Sequence, residues 1–191
     1  MRRTPVSSRV KAVRAYKSAL ALVATTNSSA SRREALSLLE DAAALGYPMA
    51  QYALATWYLH GVAVTKNLRR GANLLLKAAR GGVSAAQYDL AVCYERGRGK
   101  PKNLRQAFGW YLRAAEGGDV DSFLEVARCL YWGIGVERDH RRATSWYRRA
   151  ASRGSAEGAR AVAAAYARGE GVRVDKRRAQ FWDDRARLLE G

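Results

Sequence analysis

The chain repeats itself every 36 residues, and this period restricts its fold more than any other feature. Gly46, Gly82, Gly118 and Gly154 form one series, and Gly61, Gly97, Gly133 and Gly169 another. The alanine pairs Ala42-Ala43, Ala78-Ala79, Ala114-Ala115 and Ala150-Ala151 keep the same step. So do apolar Leu54, Leu90, Val126 and Val162, and polar Asn67, Asn103, Asp139 and Asp175. No insertion breaks the register. A short unit repeated at a fixed period cannot bury its apolar face alone and does so against its neighbours.

Each copy reads as two helices. From about Met49 to His60, apolar residues fall at Ala50, Leu54, Ala55 and Tyr58, one face of a 3.6-residue helix. Gly61 stops that helix, since glycine tolerates the left-handed conformation after a helix end. A short loop follows, "GVAVTKN" here and "GIGVERD" in the third copy, always ending in Asn or Asp. That residue is placed to cap the second helix by accepting from its free N–H groups. In the second copy this helix runs through Trp110, Tyr111, Ala114 and Ala115, and Gly118 ends it. The expected fold is all-α, an α-solenoid of antiparallel helix pairs with a 36-residue period. Its four full repeats span 49–84, 85–120, 121–156 and 157–191. Residues 33–48 read as a degenerate half repeat. Residues 1–32 are a basic segment with a capping helix from about Val10 to Thr26.

The second copy carries Ala86, Tyr88, Leu90, Ala91, Tyr94, Gly97, Gly99, Asn103, Ala107, Trp110, Tyr111, Ala114, Ala115 and Gly118. The third carries Gly133, Gly135, Val136, Asp139, Ala143, Trp146 and Tyr147. This pattern resembles the Sel-one-like repeat, a relative of the tetratricopeptide repeat, over about three quarters of the chain. The resemblance implies a right-handed superhelix whose concave face is lined largely by first helices. It also implies a protein-binding role, in signalling regulation, complex assembly, host–microbe interaction or toxin immunity. The first copy departs from the pattern at Ala63, Gly71 and Leu74-Leu75, and the fourth at Arg160 and Asp183. Asp183 in place of a ring fits a terminal repeat with a polar outer face.

The formal charge of +17 favours acidic partners, with nonspecific binding to nucleic acid or anionic surfaces as the alternative function. Arg69-Arg70, Arg105, Arg141-Arg142 and Arg177-Arg178 recur in the first turn of the second helices, where the helix dipole disfavours a cation. The ladder reads first as a solvated face and second as an anion-binding edge. Residues 1–33 hold eight basic groups and no acid. Besides a capping helix, that composition suits a transit peptide or a secretory signal. Cys93 and Cys129 occupy the same position in adjacent repeats. Stacked helices lie roughly 8–10 Å apart, and a disulfide needs Cα atoms within about 7 Å, so both are expected to be buried thiols. Some secreted relatives implied by the resemblance carry a cysteine pair in each repeat. That pattern is missing here, which points to a reducing, cytoplasmic location.

No catalytic, cofactor or metal site is expected. The two histidines, His60 and His140, have no metal-ligand spacing with the cysteines. "GRGKPKN" lacks the Walker spacing, and no strand precedes it. The resemblance brings β-lactam hydrolysis in some members, but no Ser-x-x-Lys pair sits in a matching context. First-helix positions that vary between copies are the candidates for recognition. They are Trp57, His60, Asp89, Arg96, Glu125, Arg128, Trp132 and Arg168. The tryptophans and His60 would be aromatic anchors, and the arginines would engage carboxylates of an acidic partner segment. Trp57 also reads as a core residue, since large aromatics are mostly buried.

Overall fold

A computed structural model describes residues 6–25 and 28–190. The expected helix end at Thr26, and residues 1–5 of the basic segment, lie outside the described residues. The described residues form ten α-helices and no strand. They fall in two compact units, 1–102 and 103–191. The first unit holds α1 (Val6–Thr25), α2 (Ser29–Ala44), α3 (Pro48–His60), α4 (Leu68–Arg80) and α5 (Ser84–Arg96). The second holds α6 (Leu104–Glu116), α7 (Val120–Trp132), α8 (His140–Ser152), α9 (Ala156–Arg168) and α10 (Lys176–Leu188). Within each unit every helix packs on the next.

Local chemistry sets the helix ends. Asn67, Asn103, Asp139 and Asp175 each accept, through the side chain, the backbone N–H three residues on, at 2.9 Å. The caps also close the loops. The backbone N–H groups of Asn67 and Asp139 donate at 2.8 Å to the carbonyls of Tyr58 and Leu130 in the preceding helix. α2 begins at Ser29, ahead of Arg33, because Ser28 caps it by accepting from the Ser31 N–H at 3.0 Å.

The core is built of alanines and a few large side chains, as helices in close approach require. In the first unit Ala12, Ala35, Leu39, Ala50, Leu54 and Tyr58 form one buried cluster. Leu75 and Leu90 are fully buried beyond it. Gln51 and Gln87 donate from their side chains to the carbonyls of Ala43 and Ala79, tying each first helix to the end of the helix before it. In the second unit the equivalent position is Phe123, buried and 5.7 Å from the Trp146 ring. Around them Tyr111, Val126, Leu130 and Val162 are buried. α10 buries only Ala186, while Asp183 pairs outward with Arg187 at 2.6 Å.

One loop position is set by tertiary packing. Gly99, Gly135 and Gly171 all have positive φ, near +72°. A Cβ on Gly99 would overlap the Leu68 carbonyl at the start of α4, and one on Gly135 the Leu104 carbonyl at the start of α6. Gly171 faces the His140 backbone in the same way. Loop and helix start therefore touch backbone to backbone, a contact only glycine admits. The first copy has Ala63 here, held at φ +54°, a conformation that costs a residue with a Cβ roughly 1–2 kcal/mol.

Candidate partner-binding surfaces

In the first unit, the end of α3 and the middle of α5 enclose a small open cavity. His60 and Asp89 line it with Leu59, Val92, Cys93 and Arg98. At 160 Å³ it suits one side chain and is below the size of cofactor pockets, roughly 300–1,000 Å³. Burial, and then the Asp89 carboxylate, push the Cys93 thiol above its ordinary pKa. It stays protonated at neutral pH, the opposite of an activated nucleophile. Arg96 is exposed at the end of α5 and does not line the cavity. Trp57 is half-buried and packs against the buried cluster of this unit. The structure thus places His60 and Asp89 on one cavity, which Trp57 and Arg96 do not line.

The second unit carries a denser arrangement. Trp132, the last residue of α7, is 68% exposed. Its ring stands edge-on to Tyr131 at 4.8 Å, and Tyr131 is edge-on to His140 at 4.7 Å. The Tyr131 hydroxyl donates to the Glu170 carboxylate at 2.9 Å, and Arg168 lies 3.6 Å from the same carboxylate. The Thr144 hydroxyl, within reach of the His140 and Glu170 carbonyls at 2.9 and 3.1 Å, fastens the loop behind them. Trp132 and Arg168 are therefore linked through Tyr131 and Glu170. Sequence reasoning missed both linking residues. Position 131 holds Leu, Glu, Tyr and Ala across the four copies, and that variation was the available signal.

Glu125 and Arg128, one turn apart on α7, bond each other at 2.6 Å. Each neutralises the other, so the pair offers a partner little net charge. Nearby Tyr147 is pushed up to about 12, first by burial and then by the Glu157 carboxylate. Tyr131 is raised too, chiefly by its hydrogen bond to Glu170. Folding favours the neutral Tyr147 phenol, so its contribution is complete below the unfolded pKa near 10 and is lost as pH climbs towards 12. Allowing for the part of the ring that water reaches, the loss is on the order of 1 kcal/mol. Thermal melts from about pH 9 to 12 are expected to fall less steeply for Tyr147→Phe than for the parent. Identical slopes would show that the ring titrates as if solvated.

Among the described residues no group of His, Cys, Asp and Glu could hold a metal ion. No described helix is long and apolar enough to cross a membrane. Cys93 and Cys129 are both buried.

Comparison with known proteins agrees with this architecture. No curated protein sequence matches the chain. Among solved structures, a Sel1 repeat protein from Oxalobacter formigenes is 27% identical with a TM-score of 0.81, covering 95% of this chain and 73% of its own. A protective antigen of uropathogenic Escherichia coli displaying an SLR fold is 25% identical with a TM-score of 0.86. It covers 94% of this chain, which spans 38% of that protein. Helicobacter pylori cysteine rich protein B is 25% identical over 63% of this chain and 91% of its own, with a TM-score of 0.50. The Sel1 repeat family matches at residues 48–83, 84–119, 124–155 and 156–186, most of the sequence. With its 36-residue helix pairs, capped loops and alanine-lined core, the chain is an all-α repeat protein of the α-solenoid class and belongs to the Sel1 repeat family.

Proposed function

We propose that this protein is a non-catalytic scaffold that holds an acidic segment of a protein partner on its concave face. Proteins built of these repeats commonly serve as interaction scaffolds. The observation that carries the reading is the exposed Trp132 ring, braced by Tyr131 while Glu170 and His140 hold Tyr131 in turn. A large aromatic ring held rigid in solvent loses little conformational freedom on binding, and tryptophan, tyrosine and arginine dominate interface hot spots. Arg168 beside it, and Arg96 in the first unit, would meet the partner's carboxylates. His60 and Asp89 would accept one partner side chain in their cavity, with Trp57 on the same helix as His60, and in the second unit Glu125 and Arg128 would offer the partner a hydrogen-bonding pair. The buried thiols support a reducing compartment such as the cytoplasm.

Trp132→Ala is expected to weaken a captured partner about tenfold or more, with the melting temperature unchanged because the ring is exposed. Arg96→Glu with Arg168→Glu should do the same by charge reversal. The check is an affinity pulldown from the source cell extract, with nuclease, at about 150 and 500 mM salt, where screening separates specific contacts from diffuse charge. A protein retained by the parent and lost by both variants supports the scaffold. Recovery of nucleic acid alone, released at high salt, would replace it with counterion-driven binding.

A further inference from the structure

One three-residue arrangement occurs twice, three repeats apart, with one charge reversed. In the first unit Glu40, Tyr58 and Arg70 come together. Arg70 lies 3.7 Å from the Glu40 carboxylate and 4.4 Å over the Tyr58 ring, and the Tyr58 hydroxyl points at the same carboxylate oxygen at 3.5 Å. The group is electrically balanced. In the second unit the same repeat positions hold Arg148, Tyr166 and Arg178. Both guanidinium groups donate to the one Tyr166 hydroxyl, Arg148 at 3.0 Å and Arg178 at 3.3 Å. Asp175 lies 3.3 Å from Arg178 and offsets one of the two charges. Among the described residues no carboxylate lies within ion-pair distance of Arg148.

Two cations converging on a neutral oxygen repel each other, and the arrangement lacks one negative charge relative to its counterpart. Tyr166 itself is 6% exposed. Its oxygen accepts from both arginines, so its hydrogen is left to donate. Arg148 and Arg178 are exposed, with fork-shaped donors still facing solvent. We propose that Arg148, Tyr166 and Arg178 form a receptor for a single carboxylate on an acidic protein partner, which supplies from outside the negative charge that Glu40 supplies in the first unit. One carboxylate supplies the missing charge, two oxygens for the two guanidinium groups, and an acceptor for the phenol hydrogen. This receptor rests on the acidic partner proposed above and adds a contact to it. It shares no residue with the Trp132 and Arg96 surfaces, so each can fail alone.

The test uses the full chain and a fluorescent peptide of about eight glutamates in about 50 mM salt, where exposed charges are weakly screened. Arg148→Glu installs the first unit's own carboxylate. It is expected to weaken peptide binding about tenfold, with the melting temperature kept or raised. Tyr166→Phe removes only the hydroxyl and is expected to weaken binding about threefold. Arg173→Glu makes the same change of charge on an exposed loop residue and should cost less than about twofold. Acetate should displace the peptide at lower concentration than chloride of the same ionic strength, because only the carboxylate offers two oxygens to the two guanidinium groups. Equal losses for Arg148→Glu and Arg173→Glu, or an unchanged Tyr166→Phe, would reduce the site to diffuse charge and overturn it. Equal displacement by acetate and chloride would overturn the carboxylate assignment. Loss only in Arg96→Glu with Arg168→Glu would overturn this receptor while leaving the scaffold reading intact.

Discussion

Gly99→Ala is expected to destabilise the first unit by about 3 kcal/mol or more. Two costs add. The residue sits at φ +73°, where a Cβ costs roughly 1–2 kcal/mol. The Cβ would also overlap the Leu68 carbonyl and crowd the Ala72 side chain, and forcing atoms into a packed contact costs roughly 1–3 kcal/mol. Backbone cannot swing aside as a flexible side chain can, so the start of α4 must move. Gly82→Ala separates the two costs. Gly82 has φ +87°, but a methyl added there would meet nothing within 4 Å, so only the conformational cost of roughly 1–2 kcal/mol remains. Ala63→Gly tests the same position in reverse and should stabilise by a few tenths to about 1 kcal/mol. Urea unfolding of the three variants decides it. Equal losses for Gly99→Ala and Gly82→Ala would mean that loop and helix start do not touch in solution.

Leu90→Ala is expected to cost about 2–5 kcal/mol, because it leaves a cavity among helices that are already closely packed. Leu90 is 0% exposed, in the apolar series shared with Leu54, Val126 and Val162. Arg96→Ala, on the same helix, should change stability by less than about 0.5 kcal/mol. The contrast separates positions that repeat from positions that vary. In a solenoid the recurring residues hold neighbouring repeats together, and the varying ones are left for other work. Denaturation midpoints for the two variants measure it. A loss below about 1 kcal/mol for Leu90→Ala would show that the helices close over the gap, and a matching loss for Arg96→Ala would place Arg96 in the packing.

The series of cap residues, glycines and paired alanines was readable directly, because each acts on neighbours within one helical turn. Asn103 caps α6 through Gln106, three residues on, and nothing distant enters that geometry. The same holds for the Glu125–Arg128 pair, whose spacing of three on one helix already brings the charges together. Charge reading alone treated both as open to a partner, since it did not weigh an arginine against its own helix neighbour. Trp132 stood out by type and by variation, but its brace did not. Tyr131 and Glu170 are 39 residues apart, and their hydrogen bond exists only because stacked repeats bring the end of one first helix to the loop of the next.

The repeat, the helix pairs, the caps and the buried face were all legible in the order of residues, for they follow from local periodicity and from side chains that bond their own backbone. Which varying residues meet was not legible there, and it emerged only from the packing of the folded chain. Packing set Tyr131 against His140 and Glu170, placed His60 with Asp89 on one cavity, pressed Gly99 against the α4 backbone, and turned Arg148 and Arg178 onto one tyrosine oxygen. Such contacts depend on how far each repeat is rotated and shifted against its neighbour. Small differences in side-chain volume along the whole interface set that rotation, and no single residue records it.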